Sequence, residues 1–322
     1  MQVIHVAAVE ELRWELSRAV VGMGTLDGVH VGHQAILRRV GERAAAEGGE
    51  PAVLTFAQHP LEVVRPAQAP ALLTPLPLKL ALLARLGVAC VVVIHFSPAL
   101  AALDAREFVA RGLVGGLGVR GLCVGYDFGF GRGRQGNVEL LRALSARHGF
   151  WLDVVPPVSV DGQVVSSRAI RGLLIQGRVA EAQRLLGRPY CLLGGVERGE
   201  GRGRGLGFAT ANLPVSDAEL AKDGVYAGRV LVRGEFRDAM MNLGTAPTFG
   251  GGRRRLEIHL PGWESPLYGE RLLVFFLARL RDEQRFADGA ALSAQLARDR
   301  EAARAAWEAA RALPWPEWAL HS

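Results

Sequence analysis

Val20-Val21-Gly22-Met23-Gly24-Thr25-Leu26-Asp27-Gly28-Val29-His30-Val31-Gly32-His33 decides how the first half of this chain folds. The apolar run over 19–23 is short and rich in valine, as strands buried on both faces are. A glycine-rich turn follows, and then a helical pattern over 34–47. A strand that passes through such a turn into a helix brings backbone N–H groups, a helix N-terminus and here two imidazoles to one place. That place suits a polyphosphate. An imidazole donates a hydrogen bond or, when protonated, sets a positive charge beside a phosphate. His30 and His33 at a helix start can therefore stabilise charge building on an α-phosphate under attack. Gly32 between them lets a nucleotide approach the backbone. The plain alternative is a pair of capping or surface histidines. A bare HxxH favours that alternative; Asp-Gly-Val-His-Val-Gly-His after a strand reverses the preference.

The same alternation of strand and helix runs to about residue 188. Further strands are expected over 52–56, 89–96, 121–124 and 151–155, with helices over 76–86, 105–113 and 137–148. Two short helices, 167–176 and 179–186, end the half. Such alternation argues for an α/β domain with a parallel sheet, whose ligands bind at the carboxyl ends of the strands. Gly187-Arg188-Pro189 then breaks the pattern. Runs over 190–196, 226–232, 236–242, 256–260 and 271–277 alternate partially between Gly- and Pro-containing turns, as in an antiparallel barrel. One long helix is expected over 289–313. The chain thus reads as two domains, 1–188 and 189–322.

Its 322 residues suffice for two full cores, and 49% hydrophobic with 22% charged residues describes a folded chain. No apolar run is long enough to span a bilayer. The N-terminus carries no basic region followed by an apolar stretch, so the expected compartment is the cytoplasm. Cys90, Cys123 and Cys191 show no zinc or CxxC spacing and are expected as buried free thiols. The net charge of +6 comes almost entirely from scattered arginines, with only Lys79 and Lys222 as lysines. Without basic residues interleaved with aromatics, no nucleic-acid partner is expected.

Three more clusters fall after expected strands or at a helix start. Thr55-Phe56-Ala57-Gln58-His59-Pro60 follows the second strand, and His59 is weighed evenly between a loop role and a site role. Val124-Gly125-Tyr126-Asp127-Phe128-Gly129-Phe130-Gly131 follows the fourth, where Asp127 is placed to bind a substrate hydroxyl or amine. Ser166-Ser167-Arg168-Ala169-Ile170-Arg171 offers an N-cap and an anion site, or an ordinary capped helix. In the second half, the glycine-arginine stretch 199–207, with Gly205 and Gly207, leads into Thr210-Ala211-Asn212. That stretch can cradle phosphate, and Thr210 and Asn212 offer neutral oxygens to Mg²⁺. Glu257 is a carboxylate inside an apolar strand.

Taken in order, GxxDGVHxGH, FxxHP, VGxDFxFG and SSxxIR resemble the adenylyltransferase half of the bacterial bifunctional riboflavin kinase/FMN adenylyltransferases, also called FAD synthetases. GxxRGxxLGFxTAN, NxGxxPTF, ExHL, Leu267-Tyr268-Gly269 and the 281–286 segment resemble the kinase half, so the likeness spans roughly residues 15–305. It implies a Rossmann-like nucleotidylyltransferase domain followed by a small antiparallel riboflavin-kinase β-barrel with a C-terminal helix. The implied substrates are riboflavin, FMN and ATP, with Mg²⁺ as cofactor and FAD as final product. By the resemblance, His30 and His33 contact ATP phosphates, with Gly24, Asp27 and Gly32 around them. Ser166, Ser167 and Arg171 grip the phosphates, and Phe56, His59 and Asp127 face the flavin. Thr210 and Asn212 hold Mg²⁺ and ATP beside Gly205 and Gly207, and Glu257 is the base. The chain departs from the family pattern at Thr25-Leu26, Arg168, Ala209 and Pro261-Gly262, none of which removes an implied catalytic group. Two other readings are a narrower enzyme in which one half has drifted, and a basic RNA-binding or flavin-sensing protein. Intact His30, His33 and Glu257 argue against the first, and scattered arginines with complete phosphate motifs against the second.

Overall fold

A computed structural model describes residues 1–12, 18–197, 210–215, 221–245, 254–263 and 265–313. They form two compact units, Met1–Ser167 and Arg168–Ser322. The first is built on β1 (Gln2–Val6), β2 (Val20–Met23), β3 (Pro51–Phe56), β4 (Cys90–Ile94), β5 (Gly121–Gly125) and β6 (Trp151–Val155). Their spatial order is β1-β4-β3-β2-β5-β6 and every pairing is parallel. Parallel neighbours need crossovers. These are α1 (Val31–Glu47), α2 (Pro60–Val64) with α3 (Leu76–Arg85), α4 (Pro98–Ala102) with α5 (Ala105–Glu107), and α6 (Val138–His148). A two-stranded hairpin, β7 (Ser159–Val160) and β8 (Gln163–Val164), follows.

All four residues of β2 are buried. Val21 and Met23 join the main core with Leu54, Val92, Leu122 and Val124. Val20 and Cys123 pack against Ile36, Val40 and Ala44, a stripe at four-residue spacing along α1. Gly22 lets the helix close onto the sheet, since a Cβ there would lie 3.1 Å from Val40 Cγ2. The chain lays β3 and β4 on one side of β2, then β5 and β6 on the other. The order reverses between β2 and β5, the place where open α/β sheets bind ligands. The loops after Met23, Phe56 and Gly125 all leave the sheet at that end.

α2, α4 and the β7–β8 hairpin are additions to the sequence expectation, and two further features depart from it. β1 is an edge strand with Gln2, Val3 and His5 exposed, so it has no buried run to betray it. The helix expected over 105–113 widens after Glu107 into π-helical turns over Phe108–Val114. There the Gly115 and Leu117 amides reach back five residues, to the carbonyls of Ala110 and Gly112.

The second unit begins with α7 (Ser167–Ile175), all but its first residue, and α8 (Val179–Leu186). β9 (Tyr190–Gly195), β10 (Thr210–Pro214), β11 (Gly224–Val232), β12 (Glu235–Thr245), β13 (Arg254–His259) and β14 (Arg271–Arg281) follow, and then α9 (Gly289–Arg311). The strands form one antiparallel sheet in the order β10-β13-β12-β11-β14-β9. α8 packs on β9 and β14, so this helix pair groups with the strands that follow it. The sheet curls until, among the described residues, its edges meet at a bridge, where the Glu197 N–H donates to the Asn212 carbonyl at 2.8 Å. α9 sets Ala303, Trp307 and Ala310 against Ala227, Met240 and Leu277. Trp307 Nε1 donates to the Gly228 carbonyl at 3.0 Å. The architecture is therefore the expected one: a Rossmann-like parallel sheet, then a small curled antiparallel barrel with a C-terminal helix.

All three cysteines are free and buried. Burial pushes the Cys90 thiol up to about 11 and the Cys123 thiol up to about 12, which keeps both protonated and inert. Among the described residues, no helix is long and apolar enough to cross a membrane.

Candidate active sites

The turn after β2 is tightly wound. Leu26 (φ 50°) and Val29 (φ 41°) both lie in the left-handed region, which a β-branched residue rarely adopts. Such strain persists only where the surroundings over-determine it, and here they do. The Asp27 carboxylate is buried and accepts from the Leu73 amide at 2.9 and 3.1 Å, and from the Thr74 amide at 3.1 Å. The Gly28 N–H donates to Thr74 Oγ1 at 2.9 Å, and Ser167 Oγ donates to the Asp27 carbonyl at 2.8 Å. The Asp27 side chain is thus spent on pinning the turn to residues 73 and 74.

His30 is the N-cap of α1: its Nδ1 accepts from the His33 N–H at 3.3 Å. An accepting Nδ1 places the proton of the neutral ring on Nε2, which makes that nitrogen a donor. The His30 and His33 rings stack with centroids 3.6 Å apart. Gly32 leaves room for the His30 ring, because a Cβ there would lie a tight 3.2 Å from both its Cε1 and Nδ1. Capping and a ligand role, posed as alternatives by the sequence, are compatible in the one ring.

The loop after β3 repeats the device. His59 caps α2, accepting from the Leu61 N–H at 3.1 Å, while its own N–H donates to Glu62 Oε1 at 2.9 Å. Phe56 packs edge-on against Phe96 at 5.5 Å. After β5, Asp127 is exposed and its carbonyl accepts from Arg134 Nη2 at 3.2 Å, while Phe128 stacks on Phe130 at 5.6 Å. The clusters bearing His30, His59 and Asp127 follow β2, β3 and β5, which are neighbours in the sheet. Ser166 is half-buried just ahead of α7; Arg171 is half-buried on α7, within the second unit.

The sequence reading missed Lys79, which is buried on α3. Its Nζ donates to the carbonyls of Thr25 and Phe56 and to Thr55 Oγ1. Burial pulls its pKa down from 10.5 to about 8, with the Asp27 charge acting the other way. A single lysine in Leu-Pro-Leu-Lys-Leu reads as the solvated edge of an amphipathic helix, and its partners are mostly main-chain atoms that leave no signature in sequence.

In the barrel, register gathers the second set. Glu257 on β13 pairs with Asn212 of β10 on one side and with Asn242 of β12 on the other. Cross-strand partners point to the same face, about 5 Å apart at Cβ. Thr210, two residues before Asn212, shares that face. Asn242 Nδ2 donates to Glu283 Oε1 at 3.1 Å, so a carboxylate from beyond β14 reaches the same row. Asn242 and Glu283 are additions to the expected set; periodicity does not foretell which residues register sets abreast. Gly205 and Gly207 lie outside the described residues.

With both geometries in view, comparison with known proteins is decisive. Residues 12–169 match the FAD synthetase family and residues 186–307 the riboflavin kinase family. The chain belongs to the bifunctional riboflavin kinase/FMN adenylyltransferases, enzymes of flavin cofactor biosynthesis. The member from Escherichia coli strain K12 is 40% identical over 286 residues, 88% of this chain and 91% of that one. The member from Pseudomonas fluorescens is 40% identical over 301 residues, 93% and 96% of the two chains. A crystal structure described as a macrolide-efflux protein from Streptococcus pneumoniae matches with a TM-score of 0.86 at 30% identity, over 94% of this chain and 99% of that one.

Proposed function

We propose that the two activities of this family are carried by separate sites here, with the functional boundary near residue 188, close to where the riboflavin kinase match begins. The supporting observation is that the residues proposed for the two chemical steps fall in different compact units, although Arg171 of the first motif set lies in the second unit. His30 and His33 lie in the first; Thr210, Asn212 and Glu257 lie in the second.

In the first unit an FMN phosphate oxygen attacks the α-phosphorus of ATP, and the bond to the bridging oxygen of the β-phosphate breaks to release pyrophosphate. His30, held by its cap, donates from Nε2 to phosphate oxygen as charge builds, with His33 stacked beside it. Gly24 and Gly32 give the triphosphate access to the backbone. Asp27 and Ser167 act by holding the turn, Ser166 lies next to them, and Phe56, His59 and Asp127 face the flavin. Neither histidine forms a covalent intermediate; positioning and electrostatics suffice.

In the second unit the terminal ribityl hydroxyl attacks the γ-phosphorus of ATP and ADP leaves. Glu257 takes the hydroxyl proton. The Thr210 hydroxyl and Asn212 carboxamide are hard oxygen donors on the same face as Glu257, which fits Mg²⁺, with ATP phosphates supplying most of the charge. The ion, when bound, neutralises phosphate charge. Gly205 and Gly207 are assigned to the phosphates.

The test is incubation of the purified protein with riboflavin, ATP and Mg²⁺, followed by chromatography. His30→Ala is expected to abolish FAD formation and leave FMN formation intact. Glu257→Ala is expected to abolish FMN formation while FAD still forms from supplied FMN. One substitution removing both activities from a folded protein would refute the two-site assignment.

A further inference from the structure

Lys79 is 3% exposed, on a helix that otherwise buries Leu78, Leu82 and Leu83. An ammonium has three protons, and all three are placed. They go to the Thr25 carbonyl at 3.1 Å, the Phe56 carbonyl at 2.7 Å and the Thr55 hydroxyl at 3.2 Å. Thr55 Oγ1 in turn donates to the same Thr25 carbonyl at 3.0 Å. The acceptors belong to two loops. Thr25 opens the turn that ends in His30, and Phe56 closes β3 and starts the run to His59. Stability alone is a poor reason for this arrangement, because a buried charge costs more than a well-packed apolar side chain of similar size. The lowered pKa records that cost.

We propose that Lys79 is a positioning residue for adenylyl transfer, its ammonium fixing the separation between the histidine turn and the loop that carries His59. The inference rests on the assignment of adenylyl transfer to the first unit. Attack on an α-phosphate needs donor and acceptor subsites aligned to within a fraction of an ångström, and a misplacement of about 1 Å can cost roughly 100-fold in rate. Lys79 reaches both loops at the main chain, where side-chain rotation cannot absorb a shift. A guanidinium is no substitute, because a planar fork does not match three acceptors converging on one tetrahedral nitrogen.

The experiment uses full-length Lys79→Met, Lys79→Arg, Thr55→Val and His30→Ala. Each is assayed for FAD formation with ATP and FMN varied, and for FMN formation from riboflavin in the same preparation. Lys79→Met is expected to lower kcat for FAD formation about 100-fold, with both KM values within about threefold of wild type. FMN formation stays unchanged, and Lys79→Arg does not restore the loss. The loss persists on cooling well below the unfolding transition, whereas a merely structural defect recovers there. Lys79→Met retaining FAD formation within about threefold overturns the proposal, as does recovery on cooling. Should Lys79→Met not fold, Thr55→Val decides. It removes one leg of the triangle, and a selective fall of about tenfold in FAD formation is expected, with no change counting against the proposal. If His30→Ala also leaves FAD formation intact, the site assignment fails. If His30→Ala abolishes it and Lys79→Met does not, only the positioning role falls.

Discussion

His30 shows how much a single side chain can be asked to do. Its Nδ1 completes the first turn of α1, and that commitment dictates which nitrogen carries the proton. The ring is therefore a preset donor whose protonation at Nδ1 would break the cap. Gly32 guards the arrangement, since any Cβ at that position presses on the ring at 3.2 Å. Gly32→Ala is expected to lower kcat for FAD formation about tenfold and leave FMN formation unchanged, as measured by steady-state assay of both products. The histidines, Gly32 and Glu257 were legible because their residue types stand out against their surroundings. Lys79 and Asn242 were not. Each owes its place to groups brought near by the fold, backbone carbonyls for the first and strand register for the second.

At the scale of the element, α9 is tied to the sheet by a buried ion pair as well as by its apolar face. Arg281 at the end of β14 grips Asp299 of α9 through Nε at 2.9 and 3.1 Å and Nη2 at 2.7 Å, and Gln295 Nε2 adds a bond at 2.8 Å. Asp299 is buried, so removing it strands a guanidinium against the helix. Asp299→Ala is expected to cost about 3 kcal/mol, since breaking a buried ion pair leaves an uncompensated charge. Chemical denaturation of the variant against wild type measures it. Most elements of the fold were legible from apolar runs and their breaks; β1, β10, the short helices α2 and α4 and the β7–β8 hairpin were not. β1 is exposed along most of one edge, and β10 follows a glycine-arginine stretch that reads as continuous loop. β10 also ends in Pro214, a residue tolerated only at sheet edges, where it indeed lies.

The whole molecule is two compact units in one chain, and the proposed function gives each its own phosphate chemistry. In the first, every strand of the sheet is tied to its neighbours by a run of paired residues, and the motif loops project from one end. In the second, among the described residues, one bridge joins the edge strands, from the Glu197 amide to the Asn212 carbonyl, and Asn212 is also a proposed ligand for the nucleotide-bound metal. One residue thus joins the edges with its main chain and, on the proposed assignment, faces the phosphates with its side chain. A hydrogen bond at the end of a strand opens more often than those inside a ladder. Amide deuterium exchange at Glu197 is therefore expected to be fast in the unliganded protein and to slow when Mg²⁺ and a nonhydrolysable ATP analogue are added. That amide becomes a built-in gauge of kinase occupancy.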